Sequence, residues 1–477
     1  MKENRRDFIK KLTLGGIGVG MATEAFPIHA FDPSIEQSKR DRKSRWRSKN
    51  QLFNMCGYRA PKLDKVRVGF IGVGKRGYSN LRQMTFLEGV EIVAICDIVQ
   101  DRINEVQQLL AKQKLPAAQV YIGSDDSWKG LCENPDIDLI SIAVPRGPLH
   151  ANISVYAMQC GKHVAVEVPA IETVDEAWKL VETSEATRMH CMMMENCCYD
   201  FFELLTLNMV RQGFFGELIH ADAGYIHHQQ LQNKTRDLNM WRLEESQKYT
   251  GNLYPTHGLG PVCQAMNINR GDRFTYMSSI SSNDFMLGKK IAELAQSDDF
   301  YKKYNTNSYN GNMNTSIIRT ELGRTIMLQY DTTSPRSYSR IHMLSGTKAA
   351  CMKYPFPARI SVGDDWLPEE EMEKLSETYM PEIVKKIGDM AKQVGGHGGM
   401  DFLMTWRIID CLRNGLPMDQ DVYDAAAWSV IIPLSKWSVA NRSNSIDIPD
   451  FTRGAYKTNK PLDVAFLNGG TTTVRNL

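Results

Sequence analysis

The stretch Val66–Gly77, VRVGFIGVGKRG, decides the fold of this chain. An apolar run leads into three glycines spaced G-x-G-x-x-G, at Gly72, Gly74 and Gly77, and a helix-like segment follows. Asp97 stands twenty residues beyond Gly77, at the end of the next apolar run, VEIVAICD. Strand, glycine turn, helix and acid in this order indicate a dinucleotide-binding βαβ unit, in which the backbone approaches a pyrophosphate at a helix N-terminus.

The acid at the end of the second strand indicates which dinucleotide is bound. A carboxylate at Asp97 would accept hydrogen bonds from the ribose hydroxyls and repel a 2′-phosphate, so we predict NAD rather than NADP. Lys75 and Arg76, inside the glycine motif, are predicted to contact the cofactor as well. A Rossmann domain that has lost its cofactor is the alternative.

The pattern of apolar runs changes near residue 195. Up to that point short apolar runs alternate with amphipathic stretches, which is typical of a parallel sheet. Longer strand-like runs follow, such as ELIHADAGYIH and TSIIRTELGRTIMLQYD. We predict an α/β fold, with a doubly wound parallel Rossmann sheet over residues 65–197 and an α/β domain with a large open, mainly antiparallel sheet over residues 198–477. The substrate would bind between them, at the carboxyl ends of the parallel strands.

Composition and charge narrow the class of partner. The 477 residues are 42% hydrophobic and 23% charged, with a formal net charge of +2, which is typical of a globular protein. This balance argues against nucleic acid or an acidic membrane surface as a partner. The ten cysteines show neither zinc-ligand nor disulfide spacing, so we predict no metal site.

The N-terminus predicts a location. Arg5 and Arg6 precede a short apolar stretch, LTLGGIGVGMA, and IHA ends at Ala30. Residues 1–30 resemble a twin-arginine export signal, which implies a periplasmic protein, with residues 31–64 as an N-terminal arm that contains the basic run SKRDRKSRWRSK. The alternative is a charged N-terminus on a cytoplasmic protein.

Four features resemble the glucose–fructose oxidoreductase/inositol dehydrogenase superfamily: the Rossmann start, VPRGPLH at residues 144–150, GKHVAVEVPA at residues 161–170, and the mixed second domain. The resemblance implies that the cofactor is lined by Pro145, His150, Glu167, Val168 and Asn196. Ordinary members carry lysine at the position of Val168 and aspartate at the position of Leu253. Both groups are absent, which argues against a routine alcohol dehydrogenase.

A narrower resemblance accounts for these departures. MMENCCYDF, ADAGYIHHQ, MWRLEES, GNLYPTHGLGPV, SPRSYSR and GGHGGMDF resemble glycoside hydrolase family 109. The resemblance implies an α-N-acetylgalactosaminidase with resident NAD, acting on a small molecule or glycan that bears α-linked N-acetylgalactosamine. In that route the C3 hydroxyl is oxidised, the C2 proton is lost, the glycosidic oxygen is eliminated, water adds and C3 is reduced, with retention at the anomeric carbon.

The family resemblance also assigns site residues. It implies catalytic roles at His257, Tyr225, His228 and Tyr199, with His257 as the base for the C3 hydroxyl. It implies sugar contacts at Tyr225, Arg242, Tyr254, His257 and Tyr338. Strict strand alternation places residues 225 and 227 on one side and 228 on the other, so a bulge or strand end is needed to bring His228 to the sugar. His397 in GGHGGMD fits either a tight turn or a catalytic role.

One departure and two alternatives stay open. Family members usually have a tryptophan-bearing turn where this chain has VPRGPLH, and we expect the cation at Arg146 to change which sugar or aglycone fits. A periplasmic NAD(P)-dependent sugar dehydrogenase is the second hypothesis, and a non-catalytic sugar-binding NAD protein is the third. A homo-oligomer is compatible with the sequence.

Overall fold

The structure is a computed structural model that describes residues 50–228, 240–248, 250–306 and 308–475. The predicted export signal and the basic run of the arm lie outside these residues. Within the described part of the chain, no helix is long and apolar enough to span a bilayer.

The N-terminal sheet has six strands in the order β3-β2-β1-β4-β5-β6, all paired in parallel. The strands are β1 Val66–Ile71, β2 Val90–Cys96, β3 Gln119–Tyr121, β4 Leu139–Ile142, β5 His163–Val166 and β6 Cys191–Met193. The helices between them are α1 Lys75–Met84, α2 Gln100–Lys112, α3 Ser127–Glu133, α4 Pro148–Gln159 and α5 Val174–Thr187. The predicted doubly wound parallel sheet is confirmed.

Local sequence explains why these elements form. β4 and β5 are buried at every residue, as expected for central strands covered by helices on both faces. α5 begins with a capping box, in which Thr173 accepts from the Glu176 N–H and Glu176 accepts from the Thr173 N–H. The order of strand and crossover helix therefore brings the carboxyl ends of β1, β2, β4, β5 and β6 to one edge.

The second sheet has eight strands in the order β13-β12-β11-β7-β10-β9-β8-β14. Its strands are β7 Leu218–Ile226, β8 Phe274–Ser281, β9 Asn314–Thr320, β10 Thr325–Asp331, β11 Met343–Gly346, β12 Ala350–Met352, β13 Arg359–Ser361 and β14 Ile446–Asp447. β7 and β10 pair in parallel, and the other pairs are antiparallel. The predicted mainly antiparallel sheet is confirmed.

The remaining helices of the described chain surround this second sheet and the junction with the first. They are α6 Phe201–Arg211, α7 Trp241–Lys248, α8 Thr256–Ala265, α9 Leu287–Ser297, α10 Glu369–Tyr379, α11 Glu382–Val394, α12 Met400–Asn414, α13 Val422–Ser429 and α14 Ile431–Ala440. Short 3₁₀ helices span Asn196–Tyr199, Asp299–Tyr304, His397–Gly399 and Ala455–Lys457.

Two C-terminal helices return to the Rossmann sheet. α12 packs against α1 and β1, and α13 packs against α5 and β6, so one continuous apolar core joins the two sheets. The predicted boundary at residue 198 separates the two sheets along the chain, but the folded units share a core. This packing places residues of α12 beside the glycine turn.

The last part of the predicted arm is built into the fold. Met55 and Ala60 are buried, and the Met55 N–H donates to the Tyr423 hydroxyl on α13 at 3.2 Å. The Gln51 amide also donates to that hydroxyl, at 2.7 Å. The segment 50–64 therefore packs on the C-terminal helices.

Candidate active site

The glycine turn brings three backbone segments into close contact at the start of α1. Gly72 has φ +81°, and a Cβ there would lie 2.6 Å from the Ala143 carbonyl oxygen. A Cβ on Gly77 would lie 1.9 Å from the Gly72 carbonyl oxygen, so only glycine allows α1 to begin so close to β1. No side chain caps α1 at Gly74, and its first N–H groups are available to bind an anion. The turn fits a dinucleotide pyrophosphate.

Asp97 is held beside this turn. The carboxylate is 6% exposed, and it accepts from the Val73 N–H at 2.8 Å and the Val99 N–H at 3.0 Å. The Arg102 guanidinium lies 3.6 Å from Oδ1. Two backbone donors thus fix the acid at the end of β2, in the position that a ribose-binding carboxylate requires.

His150 joins the two loops that follow β4 and β5. Its buried ring has Nδ1 at 2.7 Å from the Pro169 carbonyl oxygen and Nε2 at 2.9 Å from the Val144 carbonyl oxygen. Val168 is buried in the second of these loops, and Pro145 is exposed in the first. His150 therefore fixes the two loops at the predicted nicotinamide end of the site.

A polar network links the glycine turn to α12. Arg76 donates from Nε to Glu167 Oε1 at 2.6 Å and from an Nη atom to Asp401 Oδ2 at 2.6 Å. The Asn196 amide donates to Asp401 Oδ1 at 2.5 Å. Arg76, Glu167 and Asn196, all predicted to contact the cofactor, are thus held by contacts with each other or with Asp401. Lys75, also predicted to contact it, is exposed at the first turn of α1.

Asp401 is also the partner of His397, whose Nδ1 lies 2.8 Å from Oδ2. Burial alone would raise the pKa of Asp401, but the hydrogen bond from His397 and the charge of Arg76 outweigh burial and hold that pKa well below its ordinary value. The His397 ring itself is 63% exposed. Sequence reasoning missed Asp401, although it stands within the GGHGGMDF motif.

An aromatic cluster lies where β7 ends and α8 begins. The ring centroids of Tyr225, Tyr254 and His257 are 4.8 to 5.3 Å apart, and the Tyr338 ring is 6.5 Å from that of Tyr225. Burial raises the pKa of both Tyr225 and Tyr254. The Arg242 guanidinium lies over the Tyr254 ring, 5.6 Å from its centroid. Five of the predicted site residues therefore come together.

His257 is oriented by a carboxylate that sequence reasoning missed. Its Nδ1 lies 2.7 and 2.9 Å from the two oxygens of Glu195, which is fully buried after β6. Burial would raise the pKa of Glu195, but the charge and hydrogen bond of His257 outweigh it and lower that pKa. A carboxylate on Nδ1 leaves Nε2 as the working nitrogen. The sequence feature that could have identified Glu195 is its place just after β6, the last parallel strand, because site residues gather at the carboxyl ends of such strands.

The histidine beside Tyr225 is His227. The Tyr225 hydroxyl lies 3.1 Å from His227 Nδ1, and the His227 ring is 5.1 Å from that of Tyr338. Burial, followed by the charge of Arg242, lowers the pKa of His227, and the charge of His397 adds to the shift. Strand alternation persists to the end of β7, and the described ring contacts of Tyr225 include His227 rather than His228. The catalytic role of His228 stays a prediction without geometric support.

Tyr199 faces a different part of the core. Its ring is buried, and its hydroxyl donates to Asp419 Oδ2 at 3.2 Å. Asp419 also accepts from Arg407, at 2.8 Å. The 3₁₀ turn after Glu195 directs this side chain away from the aromatic cluster, so the structure gives the predicted role of Tyr199 at the sugar no support.

Arg146 is not a free cation at the sugar. It is 9% exposed, and its Nε lies 3.1 Å from Glu172 Oε1 and 2.8 Å from Glu245 Oε1. Two carboxylates flank the guanidinium, so the cation is ion-paired within the protein, and its effect on which sugar or aglycone fits stays a prediction.

The fold and site define an NAD-binding Rossmann enzyme with a carboxylate–histidine pair at the domain junction. The family model described as "Oxidoreductase family, NAD-binding Rossmann fold" matches residues 66–195, and "Glycosyl hydrolase 109, C-terminal domain" matches residues 199–458. The chain belongs to glycosyl hydrolase family 109. It is a glycoside hydrolase with NAD as its cofactor.

Relatives cover nearly the whole chain. A "Glycosyl hydrolase family 109 protein" of Shewanella baltica is 45% identical over 97% of this chain and 98% of its own. An "Alpha-N-acetylgalactosaminidase" of Shewanella oneidensis is 44% identical with the same coverage. Levoglucosan dehydrogenase in complex with NADH and levoglucosan has a TM-score of 0.60 at 16% identity, covering 81% of this chain and 100% of its own. An NAD binding oxidoreductase from Klebsiella pneumoniae has a TM-score of 0.59 at 14% identity, with the same coverage. These two likenesses show the fold.

Proposed function

We propose that this protein hydrolyses terminal α-linked N-acetylgalactosamine with retention, by oxidation at C3, elimination across C2 and C1, addition of water and reduction. The observation that carries the proposal is His257, oriented by the buried Glu195 and packed between Tyr225 and Tyr254 beside a turn that fits NAD. The Shewanella oneidensis relative, named for this activity, supports the choice of sugar.

NAD, when bound, supplies reversible oxidation at C3 of the sugar, and Gly72, Gly74, Asp97 and Glu167 are the residues that would hold it. His257 takes the proton of the C3 hydroxyl on Nε2, because Glu195 holds Nδ1 and stabilises the imidazolium that forms. Val168 is buried and has no ionisable group, so in this proposal His257 accepts the proton without help from a lysine at that position.

The Tyr225–His227 pair is the candidate for handling the C2 proton. A lowered pKa keeps the His227 ring neutral and able to accept a proton, whereas the raised pKa of Tyr225 keeps its phenol protonated. The hydroxyl at 3.1 Å from His227 Nδ1 can therefore relay a proton between sugar and imidazole. A ketone at C3 acidifies the C2–H bond that these groups would break.

His397 is the candidate donor to the leaving oxygen. Its ring is exposed while Nδ1 is fixed by Asp401, so Nε2 is the nitrogen that faces away from this hydrogen bond. The charge of His397 is among the causes that lower the pKa of His227, so His397 lies close enough to act on the same site. The alcohol that leaves from C1 extends out of the site, so the group that protonates it is expected at the exposed rim.

The direct test uses purified protein, a chromogenic α-N-acetylgalactosaminide and no added NAD. We expect cleavage without net accumulation of NADH, because oxidation and reduction occur within one turnover. Net NADH formation with free N-acetylgalactosamine as substrate would instead support a sugar dehydrogenase.

We also propose that the protein is exported in folded form to the periplasm, supported by Arg5, Arg6 and the apolar stretch that follows them. Replacing both arginines by lysine should retain the enzyme in the cytoplasm on cell fractionation. Unchanged periplasmic recovery of that variant would contradict the proposal.

A further inference from the structure

Arg146 connects three segments that meet above the aromatic cluster. It lies in the loop between β4 and α4, and its Nε faces Glu172, in the loop after β5, and Glu245, on α7. An Nη atom donates to the Leu253 carbonyl oxygen, in the segment that precedes α8. One buried guanidinium therefore fixes the Rossmann domain to two elements of the second domain.

Both of these elements carry residues of the sugar site. Arg242 precedes Glu245 by one helical turn on α7, and its guanidinium lies over the Tyr254 ring. Leu253 is the residue directly before Tyr254. A change at Arg146 would thus reach the sugar site through α7 and the start of α8.

We propose that Arg146 is a positioning residue whose contact with Glu245 holds α7, and with it Arg242, over the sugar site. The proposal rests on the proposed function, because it assigns Arg242 to the same substrate. The contact requires arginine in the VPRGPLH turn and glutamate at position 245.

The charge of Glu245, and with it the Arg146–Glu245 contact, depends on pH. Burial raises the pKa of Glu245 to about 7; the charges of Arg146, Arg242 and Lys248 lower it and Glu172 raises it. The carboxyl is therefore ionised above about pH 7, where it pairs with Arg146, and neutral below, where only Glu172 remains as a charged partner. The contact strengthens as the pH rises, so KM for the glycoside should fall through this range.

Glu245→Gln tests this role, and Glu244→Gln is its matched control. Glu244 is the preceding residue of α7, is exposed, and has only a loose contact with Lys248 at 3.8 Å. Losing a charge-assisted contact should raise KM about tenfold at alkaline pH. The variant should also lose the change of KM near neutral pH, with kcat within about twofold of wild type when both are measured at the same pH, and Glu244→Gln should be unchanged.

Amide hydrogen exchange of residues 241–248 gives a readout that does not depend on activity. We expect faster exchange in Glu245→Gln than in wild type or Glu244→Gln, and faster exchange in wild type at about pH 6 than at about pH 8 after correction for intrinsic rates. Arg146→Lys keeps the charge but loses the planar fork, so it should be intermediate in both measurements and serves if Glu245→Gln does not fold.

The outcomes separate the two proposals. If wild type does not cleave the glycoside, the proposed function fails, and the exchange measurement still decides whether Arg146 holds α7. If wild type cleaves it and the Glu245→Gln variant, or Arg146→Lys in its place, matches wild type in KM, pH dependence and exchange, the positioning role is overturned.

Discussion

Glu195 and His257 form the pair on which the proposed chemistry depends most. Glu195 is fully buried, and it is hydrogen-bonded to Nδ1 of His257, which lies 62 positions away in the sequence. A buried carboxylate on Nδ1 fixes both the tautomer and the ring orientation of the histidine. The pair resembles in its geometry the histidine–acid pairs of other enzymes that move protons.

Glu195→Gln should leave the fold intact and lower kcat by about 10²–10³-fold, because the amide cannot stabilise an imidazolium. KM should change little, since Glu195 does not reach the sugar-facing surface. Glu217→Gln, an exposed carboxylate before β7, is the control. Wild-type kcat in Glu195→Gln would show that His257 is not the base.

At the scale of elements, the loop between α11 and α12 is the most specialised segment. Gly395, Gly396, Gly398 and Gly399 all have positive φ, and His397 has φ +45°. This backbone presents His397 at the rim while its Nδ1 reaches Asp401 at the start of α12. The glycines therefore serve the placement of one histidine, which favours a site role for GGHGGMDF over a purely structural turn.

Gly398 and Gly399 offer a matched pair of substitutions. A Cβ on Gly398 meets nothing within 4 Å, so Gly398→Ala should cost only the left-handed strain of about 1–2 kcal/mol. A Cβ on Gly399 lies 2.9 Å from the Ala391 carbonyl carbon, so Gly399→Ala adds a backbone clash. Thermal unfolding should show the larger loss for Gly399→Ala, together with lower kcat. Equal losses would contradict this account of the loop.

The sequence predicts those elements that depend on patterns among neighbouring residues. The parallel strands, the glycine turn and the two-sheet division rest on local periodicity, and they are confirmed. Alternation along β7 placed residue 227 with Tyr225, against the assignment of His228. The direction of the Tyr199 ring could not be predicted in this way, because it is set by the 3₁₀ turn after Glu195.

At the scale of the molecule, the contacts that build the site join distant parts of the chain. Arg76 and Asp401 are 325 positions apart, and the Arg146–Glu245 contact crosses from one sheet to the other. No periodicity in one sequence encodes such pairs, because they depend on how α12 and α7 pack after folding. Residues 50–64, predicted as part of the N-terminal arm, likewise pack on the fold through α13, where the Tyr423 hydroxyl accepts from the Met55 N–H.

Buried histidines make the stability of the whole molecule depend on pH. Burial, followed by the charge of His163, lowers the pKa of His190 from 6.5 to about 3. The unfolded chain takes up this proton below about pH 6.5 and the folded chain does not, so stability is lost as pH falls through that window, by about 2 kcal/mol at pH 5 for this residue.

His190→Phe should therefore flatten the decline in stability between about pH 7 and pH 5, measured by urea unfolding. The ring stacks near Tyr58 and His163, so phenylalanine keeps its packing. An unchanged slope in His190→Phe would contradict the assignment.

Hydrolysis in heavy water tests the central claim most directly. Elimination removes the C2 proton in every turnover, so the released sugar should carry deuterium at C2 when the base exchanges with solvent, while C3 keeps its hydrogen. A two-carboxylate hydrolysis would leave the C2–H bond untouched. Released sugar without deuterium at C2, together with no isotope effect from a C2-deuterated substrate, would contradict the elimination route and the catalytic role of NAD in it.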